Sequence, residues 1–66
     1  MAAFDDPARI ILPDVKHSMG EPRFYCIGQV AGRVITVRFT LRGESIRIIG
    51  AAHWRYFRKL YENQNR

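Results

Sequence analysis

The sequence predicts an α+β fold, an antiparallel meander of three to four strands followed by a C-terminal helix. Three observations carry that prediction. Runs rich in β-branched and aromatic residues, Arg23 to Val30 and Arg33 to Arg42, flank Ala31-Gly32, and a third, Ser45 to Ala51, returns after Gly43-Glu44, so two hairpins follow one another. From about Ala52 the period changes: Trp54, Phe57, Leu60 and Tyr61 fall at i, i+3, i+6 and i+7, the stripe of an amphipathic helix. The chain has 66 residues, room for one domain near the lower size at which a single core supports itself.

The elements follow in order. Asp5, Asp6 and Pro7 break the chain before Ala8 to Leu12, a short edge strand that Pro13 and Asp14 stop. Pro13 to Pro22 holds two prolines, Gly20 and several charged side chains, and is expected to be a loop. With Gly43-Glu44 as a two-residue turn, Arg42 pairs with Ser45, Thr40 with Arg47, Phe39 with Ile48 and Arg38 with Ile49. Through Ala31-Gly32, Phe24 lies beside Phe39, Cys26 beside Val37, Tyr25 beside Arg38 and Arg23 beside Thr40. One face of the sheet then carries Phe24, Cys26, Ile35, Val37, Phe39, Leu41, Ile46 and Ile48. The other carries Arg23, Tyr25, Thr36, Arg38, Thr40, Arg42 and Arg47. A one-residue slip would bury several guanidinium groups, which fixes this register. The aromatic stripe of the helix is expected to cover the apolar face, with fraying around Asn63 to Arg66.

Formal net charge is +5, a balance that favours phosphate-bearing or acidic partners. The arginine face has no carboxylate of its own between Arg23 and Arg42, so positive potential accumulates there beside Tyr25. A phosphate-binding surface is the functional reading, and a solvated outer sheet face is its competitor. In the loop, Lys16, His17 and Ser18 lead up to the second strand, and an imidazole there could move protons in RNA cleavage while arginine holds charge on phosphorus. His53 is expected to cap or pack near the helix start.

Other chemistries are excluded. Cys26 is the single cysteine, in an apolar setting, so it reads as a small buried hydrophobe and no disulfide framework exists within one chain. No His/Cys cluster has ligand spacing, and no metal or cofactor is expected. Glu21 and Glu44 form no evident carboxylate pair, and there is no P-loop, dinucleotide fingerprint or nucleophile elbow. No stretch approaches a membrane span and the N-terminal residues lack signal-peptide features, so a cytoplasmic location is expected.

Four gapped motifs, in order, carry a family resemblance: "D..HS.GE.RF" at Asp14 to Phe24, "IG...GR" at Ile27 to Arg33, "V.FT.RG..IRII" at Val37 to Ile49, and a final "GA..WR...K.YE" from Gly50 to Glu62. The chain resembles the BrnT toxins of type II toxin-antitoxin systems, a branch of the RelE-like ribonucleases. The resemblance implies a RelE-like core and a cytoplasmic toxin that degrades RNA without a metal, blocks translation and is neutralised by a BrnA-type antitoxin. It places His17, Arg42 and Arg47 as candidate catalytic residues, without dividing acid from base. Lys16, Arg38, Arg55 and Lys59 join Arg23 and Tyr25 of the sheet pattern as candidate RNA-binding residues. Chains of that family begin with a further strand and helix, so the resemblance implies a single domain, residues 1–66, shortened at its N-terminus. Apolar sheet surface left open by that shortening points to a homo-oligomer. A non-catalytic basic module that binds an antitoxin or nucleic acid is the alternative reading.

Overall fold

A computed structural model of the chain describes residues 2–17 and 20–65, the side chain of His17 excepted. Four antiparallel strands, β1 (Ile10–Pro13), β2 (Arg23–Val30), β3 (Arg33–Arg42) and β4 (Ser45–Ala52), lie in the order β1-β2-β3-β4, and helix α1 spans Arg55–Gln64. The expected meander and helix are both present. β1 is the expected edge strand, displaced toward the C-terminus to include Pro13, and a 3₁₀ turn at Val15–His17 follows it.

Both hairpins close through two-residue turns. Ala31 and Gly32 have φ of 51° and 81°, the double positive pattern of a type I′ turn, so the alanine accepts a left-handed conformation to match the twist of its strands. The β2–β3 register is the expected one throughout, Phe24 with Phe39, Tyr25 with Arg38 and Cys26 with Val37. Between β3 and β4 it holds from Arg42–Ser45 to Phe39–Ile48 and then shifts. Arg38 pairs with Gly50 rather than Ile49, because a bulge at this point sets two residues of β4 against one of β3.

The layer assignment needs correction. Helix α1 packs on the face that carries Tyr25 and the arginines, not on the apolar face. The centroid of Tyr25 lies 4.8 Å from that of Phe57 and 6.1 Å from that of Trp54, and Tyr61 is buried. The reason is written along the strands: toward the β2–β3 turn this face also carries Ile27, Val34 and Thr36, and Ile27 and Thr36 are fully buried. The face is basic only at its other end.

The apolar face is covered instead by the N-terminal 3₁₀ turn, Ala2–Asp5. Ala3 joins Cys26, Val37 and Phe39 in the core, and the Phe4 ring meets Phe39 edge-on at 5.1 Å. Gly28 permits this close approach, since a Cβ there would sit 2.3 Å from the Ala3 carbonyl oxygen. Cys26 is buried as expected, and burial pushes its thiol pKa up.

One carboxylate ties the two layers together. Asp6 accepts the Tyr61 hydroxyl at 2.5 Å and the Gln29 N–H at 2.7 Å, while its other oxygen accepts the Ala8 N–H at 2.8 Å. The Tyr61 hydroxyl, followed by those amides, holds the Asp6 carboxyl below its ordinary range, and Asp6 in turn helps push the Tyr61 hydroxyl up to about 12.

Candidate functional site

Away from the helix, the same face is built in cross-strand rows. Arg23, Thr40 and Arg47 lie side by side on β2, β3 and β4, and Arg42 pairs with Ser45 in the next row on that face. Arg42 and Arg47 are therefore diagonal neighbours on adjacent strands, both exposed. The Thr40 hydroxyl between them is buried and donates to the Pro22 carbonyl, which pins the loop to the sheet. The Arg47 guanidinium makes no hydrogen bond or ion pair among the described residues.

Carboxylates reach this surface after all, from the loop that precedes β2. Asp14, 5% exposed, lies 3.4 Å from a guanidinium nitrogen of Arg38, and Glu21 lies 3.5 Å from one of Arg42. The reading of an arginine face without counter-charge is corrected on this point. Register explains the second contact and the placement of the first carboxylate: continuing the β2–β3 pairing beyond Arg23–Thr40 brings Glu21 opposite Arg42, and continuing β1–β2 beyond Pro13–Phe24 brings Asp14 opposite Arg23, one row from the Tyr25–Arg38 pair. The Asp14 amide indeed donates to the Arg23 carbonyl at 2.8 Å. Asp14 and Glu21 were thus legible in the pairing, though the pattern of each strand taken alone does not reveal them.

The candidate residues divide between two environments. Tyr25 is half-buried beneath Trp54 and Phe57, with the Arg38 guanidinium carbon 6.0 Å from its ring centre. Burial, then the charge and hydrogen bond of Asp14, raise the Tyr25 pKa. Arg23 and Arg38 are half-buried in the same row system, whereas Arg42, Arg47 and Lys16, which sits in the 3₁₀ turn, are exposed. The side chain of His17 and all of Ser18 lie outside the described residues. Arg55 and Lys59, one helical turn apart, lie on the exposed outer stripe of α1. His53 packs rather than caps: its Nδ1 is 3.2 Å from the Val34 carbonyl oxygen, and the helix N-cap is Trp54, without a side-chain capping bond.

Guanidinium groups can hold a phosphate and stabilise charge that develops on it, but they stay protonated and cannot take a proton at neutral pH. Glu21 supplies an acceptor within reach of Arg42. No group of three metal-ligating side chains occurs among the described residues, and no helix among them is long and apolar enough to cross a membrane.

A family model described as the ribonuclease toxin BrnT of type II toxin-antitoxin systems matches residues 1–56. No curated protein and no solved structure matches the chain.

Proposed function

The chain belongs to the BrnT family of ribonuclease toxins, and from that premise we propose that it cleaves RNA without a metal ion, at the arginine end of the sheet, and so inhibits translation. The observation that carries this reading is the diagonal pair Arg42 and Arg47, exposed on one face with the Glu21 carboxylate beside the first. The two guanidinium groups hold the scissile phosphate and the charge that builds on it during in-line attack by the ribose 2′-hydroxyl. Glu21 and His17 exchange the two protons, one leaving the 2′-hydroxyl and one reaching the departing 5′-oxygen. Lys16, Arg23, Arg55 and Lys59 add attraction for the backbone, while Arg38 and Tyr25, held by Asp14, set the floor beneath it.

The partner in this reading is an antitoxin of the BrnA type in the cytoplasm. In its absence two copies associate through the open part of the apolar face, where Ile11, Leu41, Ile46 and Ile48 are each more than 40% exposed.

The test is cleavage of single-stranded RNA by purified protein in the presence of a chelator. Arg42→Ala and Arg47→Ala are each expected to reduce the rate by about 10²–10³-fold, the effect of removing one group that stabilises transition-state charge, with unchanged folding. Cleavage lost on chelation, or equal rates in wild type and both variants, sinks the proposal. RNA binding without cleavage would support the non-catalytic alternative.

A further inference from the structure

The opposite end of the same face carries a second concentration of positive charge. A cleft of about 690 Å³ opens between the start of α1 and the β2–β3 turn, and Arg33, Arg55, Arg58, His53, Trp54 and Glu62 are among its lining residues. Arg55 and Arg58, three apart on α1, thus bring two guanidinium groups toward one carboxylate, while Arg33, opposite Val30 at the end of its strand, borders the cleft at the turn. Unlike Arg38 and Arg42, none of the three forms an ion pair among the described residues, and Glu62 is the single carboxylate that lines the cleft with them. Neither packing nor folding requires that arrangement, since all three side chains are exposed.

We propose that this cleft is a second phosphate-binding site, which holds the backbone of single-stranded RNA at a distance from the Arg42–Arg47 end. Arg33 and Arg42 are the end residues of β3, and its nine residue-to-residue steps set the two sites about 30 Å apart. Arg55 and Arg58 bind successive phosphates of one strand. His53 has one ring nitrogen engaged by the Val34 carbonyl, which leaves Nε2 for a phosphate or ribose oxygen. Two features favour an RNA segment over free phosphate: the cleft is far larger than one phosphate group, and Trp54, 39% exposed, offers an aromatic surface to a base. The identity of the polymer rests on the ribonuclease reading above; the phosphate site rests on the cleft.

Trp54 is the chain's one tryptophan and reports directly on occupancy. Its emission would be followed while the full chain is titrated with 2′-O-methyl RNA, which cannot be cleaved, so that binding is read whether or not the protein is a nuclease. Wild type should show a saturable change that weakens with salt. The double variant R55Q/R58Q should bind about tenfold or more weakly, with the slope of log affinity against log salt reduced by roughly 1.4, the value for two single-strand phosphate contacts. R55K/R58K should retain most of the salt dependence. Thermal melts of both variants should match wild type, because both side chains are exposed and neither guanidinium makes a hydrogen bond or ion pair among the described residues. Inorganic phosphate should change Trp54 emission only at far higher concentration than RNA. Equal RNA affinity and salt slope in wild type and R55Q/R58Q would overturn the proposal, as would inorganic phosphate that saturates the signal as readily as RNA. So would a double variant that loses only an acidic protein partner. Failure of wild type to cleave unmodified RNA, with these binding results intact, would overturn the nuclease reading and leave the phosphate site standing.

Discussion

The two ends of the sheet are built differently. Toward the β2–β3 turn both faces are covered, one by the Ala2–Asp5 turn and the other by α1, and Cys26, Ile27, Thr36 and Val37 are sealed between the layers. Toward the β3–β4 turn neither face has such a cover among the described residues. There the hairpin shows arginines on one side and Leu41, Ile46 and Ile48 on the other. A domain this small has apolar area enough to seal only part of its sheet, and stability gathers at that end. The other end is left with two unlike surfaces, one suited to phosphate and one to protein.

Substitutions at the seam and at the two ends should therefore produce effects of different kinds. The largest is expected at the seam. Asp14→Ala strips the half-buried Arg38 guanidinium of its carboxylate and should cost about 3 kcal/mol, the lower part of the range for breaking a buried pair; the midpoint of urea unfolding measures it. An unchanged midpoint would mean that the pair is not holding the loop to the sheet. At the covered end, Gly28→Ala forces a Cβ against the Ala3 carbonyl and should destabilise by roughly 1–3 kcal/mol. The buried Cys26 thiol is its reporter: labelling by a thiol reagent should accelerate as the N-terminal turn lifts.

The Asp6–Tyr61 clasp at that end gives a pH signature whose sign follows from the shifts. Asp6 is depressed in the folded state, so its contribution is present above the ordinary carboxylate pKa of 3.8 and disappears as pH falls through the lower folded value. Tyr61 is raised, so its contribution is complete below pH 10 and is lost as pH rises toward about 12. Tyr61→Phe should flatten the alkaline arm of a stability-versus-pH curve, though burial also raises Tyr25 and leaves some slope. An alkaline arm identical to wild type would remove the clasp from the account. The smallest effect on stability is expected at the uncovered end: Ile46→Lys, at a residue 52% exposed, should move the unfolding free energy by no more than about 0.5 kcal/mol. Its readout is mass in solution by ultracentrifugation, where it should shift self-association toward the monomer. A wild-type protein that is monomeric at high concentration would rule out the paired state.

Alternation and turn chemistry sufficed to place both hairpins, the edge strand, the buried cysteine and the helix stripe. They could not say which layer covers which face. Phe4 and the Trp54-Phe57 stripe are both apolar and both within reach of the sheet, so composition does not rank them. The clue lay in Ile27 and Val34, two apolar residues on a face read as basic because its arginines were more conspicuous. In the same way Asp14 and Glu21, at the ends of a proline-rich loop, become visible partners for Arg38 and Arg42 only when strand pairing is extended past the strands themselves.

The bulge in β4 has a consequence at the level of insertions and deletions. Because side chains alternate, its one extra residue reverses the facing of everything after it: Ala52 lies beside Thr36, on the side where α1 packs, whereas an unbroken ladder would set it beside Ile35 on the opposite side. Loss of the single codon for Ile49 would keep every side chain of the helix and aim the chain at the wrong layer. The helix is thus sorted to its face by a count of residues, and a homologue that lacks the extra residue should restore the parity elsewhere before Trp54.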